Sequence, residues 1–318
     1  MGRTVGDAGE FGLIGAVSPR FAPTAAVLLG PGDDAAVVRV PDGRVVASTD
    51  VLVDGRHFRR DWSSAHDIGR RAAAANLADI AAMGAHPVAL LVGLAAPADL
   101  ELDWVEGFAD GLAAECALVG ATVAGGDTVA ADTIVISVTA LGDLQGRAPV
   151  TRAGARAGDV VAVAGQLGRA AGGLAVLRRG FRQPRALVDA HRVPTVPYEL
   201  GVSAAEAGAT AMIDVSDGLL ADLGHVARAS GVIVELASSA LPPDDDLVSI
   251  AGAMGADAQA WVLTGGDDHA LVATFAPDGP MPAGFRVIGV VGEPGPDGPA
   301  VYVDGLVPEG DPGHEHYR

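Results

Sequence analysis

Lysine is missing from all 318 residues, and each of the 21 basic side chains is an arginine. That excludes chemistry needing a lysine amine: Schiff bases to carbonyls, the Walker A cradle and the strand lysine of protein kinases. Cysteine is nearly missing too. Cys116 has no second cysteine to pair with inside the chain, and its place in a helix-like run, 112–119, predicts an inert buried thiol rather than a nucleophile. Positive charge is scarce: 40 Asp and Glu against 21 Arg give a net charge of −19, the wrong sign for covering nucleic-acid phosphates. No nucleic-acid partner is expected. The longest uncharged segment, 80–98, is broken by Gly84, His86 and Pro87 and reads as a helix end, a turn and a strand rather than a membrane span. The N-terminus carries Asp7 and Glu10 and lacks a basic start followed by an apolar stretch, so no signal peptide is expected. The expectation is a soluble, cytoplasmic protein.

Short β-branched runs alternate with alanine-rich helical segments, the pattern of a mixed α/β chain. Strands are expected at 35–40, 45–49, 87–94 and 133–141, with helices at 64–83 and 102–119. Ser64 and Asp67 have capping-box spacing, and Gly84 follows the helix they would open. The glycine- and arginine-rich segment 143–159 interrupts this rhythm, which places a boundary between domains at 1–145 and 146–318. Further strands are expected at 160–165, 211–214, 232–236, 270–275, 285–291 and 300–303, and helices at 168–179 and 219–230. In the last of these Leu219, Leu220, Leu223, Val226 and Ala227 share one face.

Acidic residues gather beside glycine, serine or threonine: GDDA (32–35), STD (48–50), NLAD (76–79), GGDT (125–128), DVSDG (214–218) and GGDD (265–268). Singly, each is an ordinary turn. Together, with STD, GGDT and DVSDG expected to end apolar strands, they point to one shared site. Short carboxylates with hydroxyl oxygens, and no histidine or cysteine cluster, suit Mg²⁺ or Ca²⁺. Phosphoryl transfer follows, since it needs mainly positioning and charge neutralisation, which divalent ions supply without lysine. Glycine pairs at 125–126 and 265–266 would let backbone amides approach phosphate, and the helix from Leu219 would point its positive end at whatever DVSDG holds. Asn76 and Asp79 share a helix face. For His57 and Arg152 a structural role and a phosphate contact both stay open.

The ordered set GEF, GDDA, STDVLVDGRHF, NLADIAAMGA, GGDT, TRAGARAGD, DVSDGL and GGDD, running from Glu10 to about Asp268, resembles the thiamine-monophosphate kinase family of the aminoimidazole ribonucleotide synthetase-like superfamily. The resemblance implies a two-domain fold whose N-terminal strands pair across a homodimer, followed by a C-terminal α/β domain. It implies transfer of the γ-phosphate of ATP to thiamine monophosphate with Mg²⁺ and no phospho-enzyme. By the same resemblance Asp34, Ser48, Thr49, Asp50, Asp79, Asp127, Asp214 and Asp217 would ligate Mg²⁺, with Asp50 and Asp79 bridging ions. Gly126, Asp127, Arg152 and Ser216 would contact ATP, and His57, Asp267 and His314 the thiamine phosphate.

Two departures stand out. The family's GGEDYEL appears as GGDDHAL at 265–271, which shortens a glutamate to Asp267, and the aromatic of its C-terminal ending is replaced by His314 in GHEHY at 313–317, with Tyr317 nearby. Imidazole stacks less well than a large ring on a cationic thiazolium. The competing readings are aminoimidazole ribonucleotide synthetase, which shares acidic glycine-rich ATP loops, and a non-catalytic Mg²⁺ or nucleotide sensor. Selenophosphate synthetase and the hydrogenase-maturation relative require a reactive cysteine that Cys116 does not supply.

Overall fold

The computed structural model describes residues 3–30, 36–296 and 298–314. The chain divides into two compact units: residues 1–80 with 85–146, and residues 81–84 with 147–318.

In the first unit a short antiparallel ribbon, β1 (Val27–Leu29) with β2 (Val37–Val38), accompanies a four-stranded sheet. Its strands are β3 (Val46–Val53), β4 (His86–Ala96), β5 (Thr122–Ala130) and β6 (Val135–Asp143), in the order β3-β6-β4-β5. Among the described residues, the α-helices of this unit are α1 (Val5–Val17), most of α2 (Ala65–Ala82), and α3 (Leu102–Ala117). The α2 helix opens on the expected reciprocal cap, with Asp67 N–H donating to Ser64 Oγ and Ser64 N–H donating to Asp67 Oδ2, each at 3.1 Å. Ala72, Ala73, Ala74, Leu77 and Ala78 of α2 are wholly buried, as are Ile136, Val138 and Ala140 of β6. Burial of these small and branched side chains contributes to the unit's apolar stabilisation.

The second unit is built on a six-stranded sheet in the order β12-β9-β11-β7-β10-β8, antiparallel except for the β12–β9 pair. The strands are β7 (Val160–Ala164), β8 (Ala211–Asp214), β9 (Ile233–Leu236), β10 (Leu271–Phe275), β11 (Phe285–Gly292) and β12 (Ala300–Val303). Helices α4 (Arg169–Arg178), α5 (Arg185–Arg192), α6 (Tyr198–Glu206), α7 (Leu219–Ser230), α8 (Asp245–Met254) and α9 (Ala258–Thr264) complete it. Leu219, Leu220, Leu223, Val226 and Ala227 of α7 enter the core as their spacing predicts.

The pattern of strand and helix differs from the sequence expectation in several places. Of the strand expected at 35–40 only Val37–Val38 is extended among the described residues. Helices α1, α5, α6, α8 and α9 were not expected, because short or glycine-bearing segments give weak periodicity. STD and GGDT do not end strands. Asp50 lies inside β3, which pairs with β6 from Val46 opposite Gly142 to Val53 opposite Val135, and Asp127 lies inside β5. Both strands are sheet edges, where an exposed carboxylate is tolerated inside a strand.

Candidate active site

In the first unit the sheet register sorts the acidic motifs by face. Ser48 and Asp50 stand opposite the buried Ala140 and Val138, so they share the face that α2 covers. Ser48 Oγ donates to Asp79 Oδ2 at 2.6 Å, and Asp50 N–H donates to Asn76 Oδ1 at 3.1 Å. Asn76 is wholly buried and its own Nδ2 donates to Ala72 O at 2.9 Å, which fixes the amide that holds β3 to the helix. Ser48, Asp50, Asn76 and Asp79 thus form one cluster.

Thr49 points to the other face. Its hydroxyl donates to Val138 O at 3.0 Å and accepts from Thr139 Oγ1 at 3.0 Å. Asp127 registers with Gly93, and Gly93 with Ser137, so it also belongs to this second face, on the opposite edge of the sheet from Asp50. The unit therefore does not bring Asp127 to the Ser48–Asp79 cluster. Gly126 is required by crowding, since a Cβ there would stand 1.9 Å from Val92 O. His57 folds back on its own turn, its Nδ1 accepting the Val53 N–H at 3.0 Å, which assigns the ring proton to Nε2. Asp34 lies outside the described residues.

In the second unit three separated pieces of sequence interlock. Val215 N–H donates to Ala270 O at 2.8 Å, His269 N–H to Val215 O at 2.9 Å, Asp267 N–H to Ser216 O at 2.8 Å, and His314 N–H to Asp217 O at 2.9 Å. DVSDG, GGDDH and the C-terminal segment at Gly313 and His314 are thereby one structure. Gly218, with φ of 133°, fits where a Cβ would come within 2.6 Å of Thr264 O. His269 Nδ1–H donates to Asp214 Oδ2 at 2.9 Å, with both side chains buried. Asp267 and His269 both take left-handed backbone, φ 67° and 51°, a conformation that aspartate and histidine adopt more readily than most residues. Between them Asp268 turns inward and accepts the N–H groups of Gly168 at 2.5 Å and Ala170 at 2.9 Å, at the start of α4. Burial outweighs those donors and pushes its carboxyl up to about 7.

Asp222, in the first turn of α7, accepts the N–H groups of Ser216, Asp217 and Gly218 on one oxygen, each at 3.1 Å. Burial first, and then the neighbouring Asp214 charge, push it up to about 7. Asp222 therefore takes up the amides of the loop and of the N-cap residue Gly218, ahead of the first-turn amides of Leu219, Leu220 and Ala221. Arg152 is exposed, and the loop that carries it is pinned by Ser230, whose Oγ accepts from Gly154 and Ala155 N–H at 3.1 Å and donates to Arg152 O at 3.0 Å. Tyr317 lies outside the described residues. Among the described residues no group of three or more His, Cys, Asp or Glu is arranged to hold a metal ion by itself. The oxygen pairs present suit an ion that keeps waters and substrate oxygens in its shell, as Mg²⁺ does.

The model of the AIR synthase related protein N-terminal domain matches residues 32–144, and that of the AIR synthase related protein C-terminal domain matches residues 156–262. A thiamine-monophosphate kinase of Mycobacterium tuberculosis is 52% identical over 304 residues, covering 95% of this chain and 90% of the relative. The chain belongs to the thiamine-monophosphate kinase family. The thiamine-monophosphate kinase structure from Stenotrophomonas maltophilia agrees with a TM-score of 0.80 at 34% identity, covering 93% of this chain and 96% of that one. A structure described as AaThiL complexed with AMPPCP and TMP also gives a TM-score of 0.80, at 33% identity and 98% coverage of both chains.

Within this kinase family the residues that sequence reasoning passed over here are Asp222 and His269, together with the capping role of Asp268. For Asp222 a signal was available: it is the one charged residue inside the apolar stripe Leu219–Leu220–Leu223–Val226, and a carboxylate on a buried face must find donors. For His269 the departure from the tyrosine of GGEDYEL marks the position, but its partner Asp214, 55 residues away, is not legible in the sequence.

Proposed function

We propose that this chain transfers the γ-phosphate of ATP directly to the phosphate of thiamine monophosphate, releasing thiamine diphosphate and ADP. The observation that carries this reading is the hydrogen-bonded union of DVSDG, GGDDH and the Gly313–His314 segment, which gathers motifs implied for metal, nucleotide and acceptor into one loop cluster. Likeness to the AMPPCP and TMP complex, with TMP read as thiamine monophosphate, supports the same pair of substrates.

Residues 1–145 are assigned to ATP and Mg²⁺ binding and to dimerisation, and residues 146–318 to the C-terminal α/β domain. Mg²⁺, when bound, would neutralise phosphate charge and hold the reacting oxygens in line. The donors fit a hard cation: Ser48 with Asp79, Asp50, Asp127, and Asp214 with Asp217 offer oxygen. Asp34 is assigned with them. Thr49 is assigned with them as well, on the sheet face opposite to Ser48 and Asp50. Gly126, Arg152 and Ser216 are assigned to ATP. Asp267, held half-buried by its left-handed backbone, His314 and the Nε2 side of His57 are assigned to the acceptor. No residue serves as a covalent nucleophile, and burial pushes the Cys116 thiol up to about 12.

A homodimer is supported by the second face of the first unit's sheet, where, among the described residues, Val51, Leu91 and Val129 are 50%, 36% and 55% exposed. A cytoplasmic site of action fits the ATP requirement, and no described helix is long and apolar enough to cross a membrane.

The test is incubation with ATP, Mg²⁺ and thiamine monophosphate, with products resolved by mass and with acceptor and metal omitted in turn. Thiamine diphosphate and ADP in equal amounts are expected. ADP without thiamine diphosphate, or neither product, overturns the reading.

A further inference from the structure

Resting on the assignment of Asp214 and Asp217 to metal, we propose that Asp222 is a positioning residue, whose carboxylate collects the N–H groups of Ser216, Asp217 and Gly218 and thereby fixes the loop that presents those ligands. Three successive amides converging on one oxygen form a concavity of the kind that otherwise takes an anion or a phosphate. Asp222 fills it from inside. The N–H side of the loop then faces the protein's own carboxylate, and a phosphate has no access to it. What the loop retains for a ligand is oxygen, the polarity a cation needs.

The position is a costly one for a carboxylate. Asp222 is only 3% exposed and stands on the buried face of α7, with Leu219 and Leu223 beside it and Val226 one turn on. An apolar residue there would pack with its neighbours but leave three amides without an acceptor. The other side of the same loop is already fixed, since Ser216 O and Asp217 O accept from Asp267 and His314 N–H. Asp222 supplies the opposing hold, so that the peptide planes carrying Ser216 and Asp217 are clamped on both sides. Ligands oriented by neighbouring hydrogen bonds typically lose about 10- to 100-fold in metal affinity when that support is removed.

The experiment uses the full chain and Mn²⁺ as the probe, with free Mn²⁺ read by electron paramagnetic resonance in the presence of AMPPCP, so that no turnover is required. Asp222→Ala is expected to weaken Mn²⁺ binding by about 10-fold or more. Asp222→Asn, which retains one oxygen for the three amides, is expected to stay close to the unsubstituted protein. Asp217→Asn tests the underlying metal assignment. Weakened binding in Asp217→Asn with normal binding in Asp222→Ala overturns the positioning role alone, whereas normal binding in both overturns the metal assignment with it. Should Asp222→Ala not fold, hydrogen exchange in the unsubstituted protein decides. Slow exchange of the three amides at 216–218 supports the clamp, and exchange at free-peptide rates overturns it.

Discussion

His269 Nδ1 lies 2.9 Å from Asp214 Oδ2, joining the loop before β10 to the last residue of β8. The two strands pair antiparallel with Leu271 opposite Asp214, so the contact is set by sheet register and not by neighbourhood in sequence. The family pattern GGEDYEL has tyrosine where this chain has His269. One oxygen of Asp214 is thus committed to the imidazole. Replacing His269 by Ala is predicted to lower turnover by about 10- to 100-fold and to raise the Mg²⁺ concentration needed for half-maximal rate. Initial rates across a Mg²⁺ titration check this, and an unchanged Mg²⁺ requirement in a folded variant would reduce the contact to a packing role.

Asp50 and Asp127 stand on opposite edges of the first unit's sheet, both exposed. Exposed strand-edge carboxylates with a purely structural role tolerate neutral replacement. Asp50→Asn and Asp127→Asn are each predicted to reduce turnover by at least ~10²-fold, the scale of removing one preorganised electrostatic group, while leaving the circular dichroism spectrum and melting temperature near those of the parent. Near-normal rates at saturating Mg²⁺ would return both residues to the role of edge protection.

Asp268 predicts a pH signature in stability. Its folded carboxyl titrates near 7 against an ordinary value of 3.8, so between those values the folded state holds a proton that the unfolded state has released. Its contribution to stability is complete below about 4 and is lost as pH rises towards 7. Denaturant unfolding of the parent and of Asp268→Asn should therefore give a stability difference that moves against the parent as pH rises from 4 to 7 and then levels. Parallel stability curves over that window would contradict the assignment.

Cys116 is 1% exposed, and burial together with the adjacent Glu115 charge pushes its thiol up to about 12. At pH 8 an aromatic disulfide reagent should leave the folded protein unlabelled and label one thiol per chain after denaturation. Cys116→Ser should retain turnover. Rapid labelling of the native protein, or loss of activity in a folded serine variant, would reopen a chemical role for this residue.

The primary structure sets the chemistry available: no lysine, a large acidic excess, and carboxylates placed beside glycine and hydroxyl residues in a recognisable order. It also determined the helices with strong caps or stripes, α2 and α7, because capping and 3.6-residue periodicity are local properties. Which carboxylates meet depends on contacts between distant parts of the chain. Ser48 and Asp79, 31 residues apart, are joined at 2.6 Å, yet Asp127 is sent to the other face and edge of the same sheet by strand order and register. In DVSDG the loop amides turn to the buried Asp222, and in GGDD the fold buries Asp268 as a cap while leaving Asp267 half-buried. A motif fixes residue types and local turns, whereas the direction of a carboxylate depends on strand pairing and on where buried amides find an acceptor, both set by contacts distant in the chain.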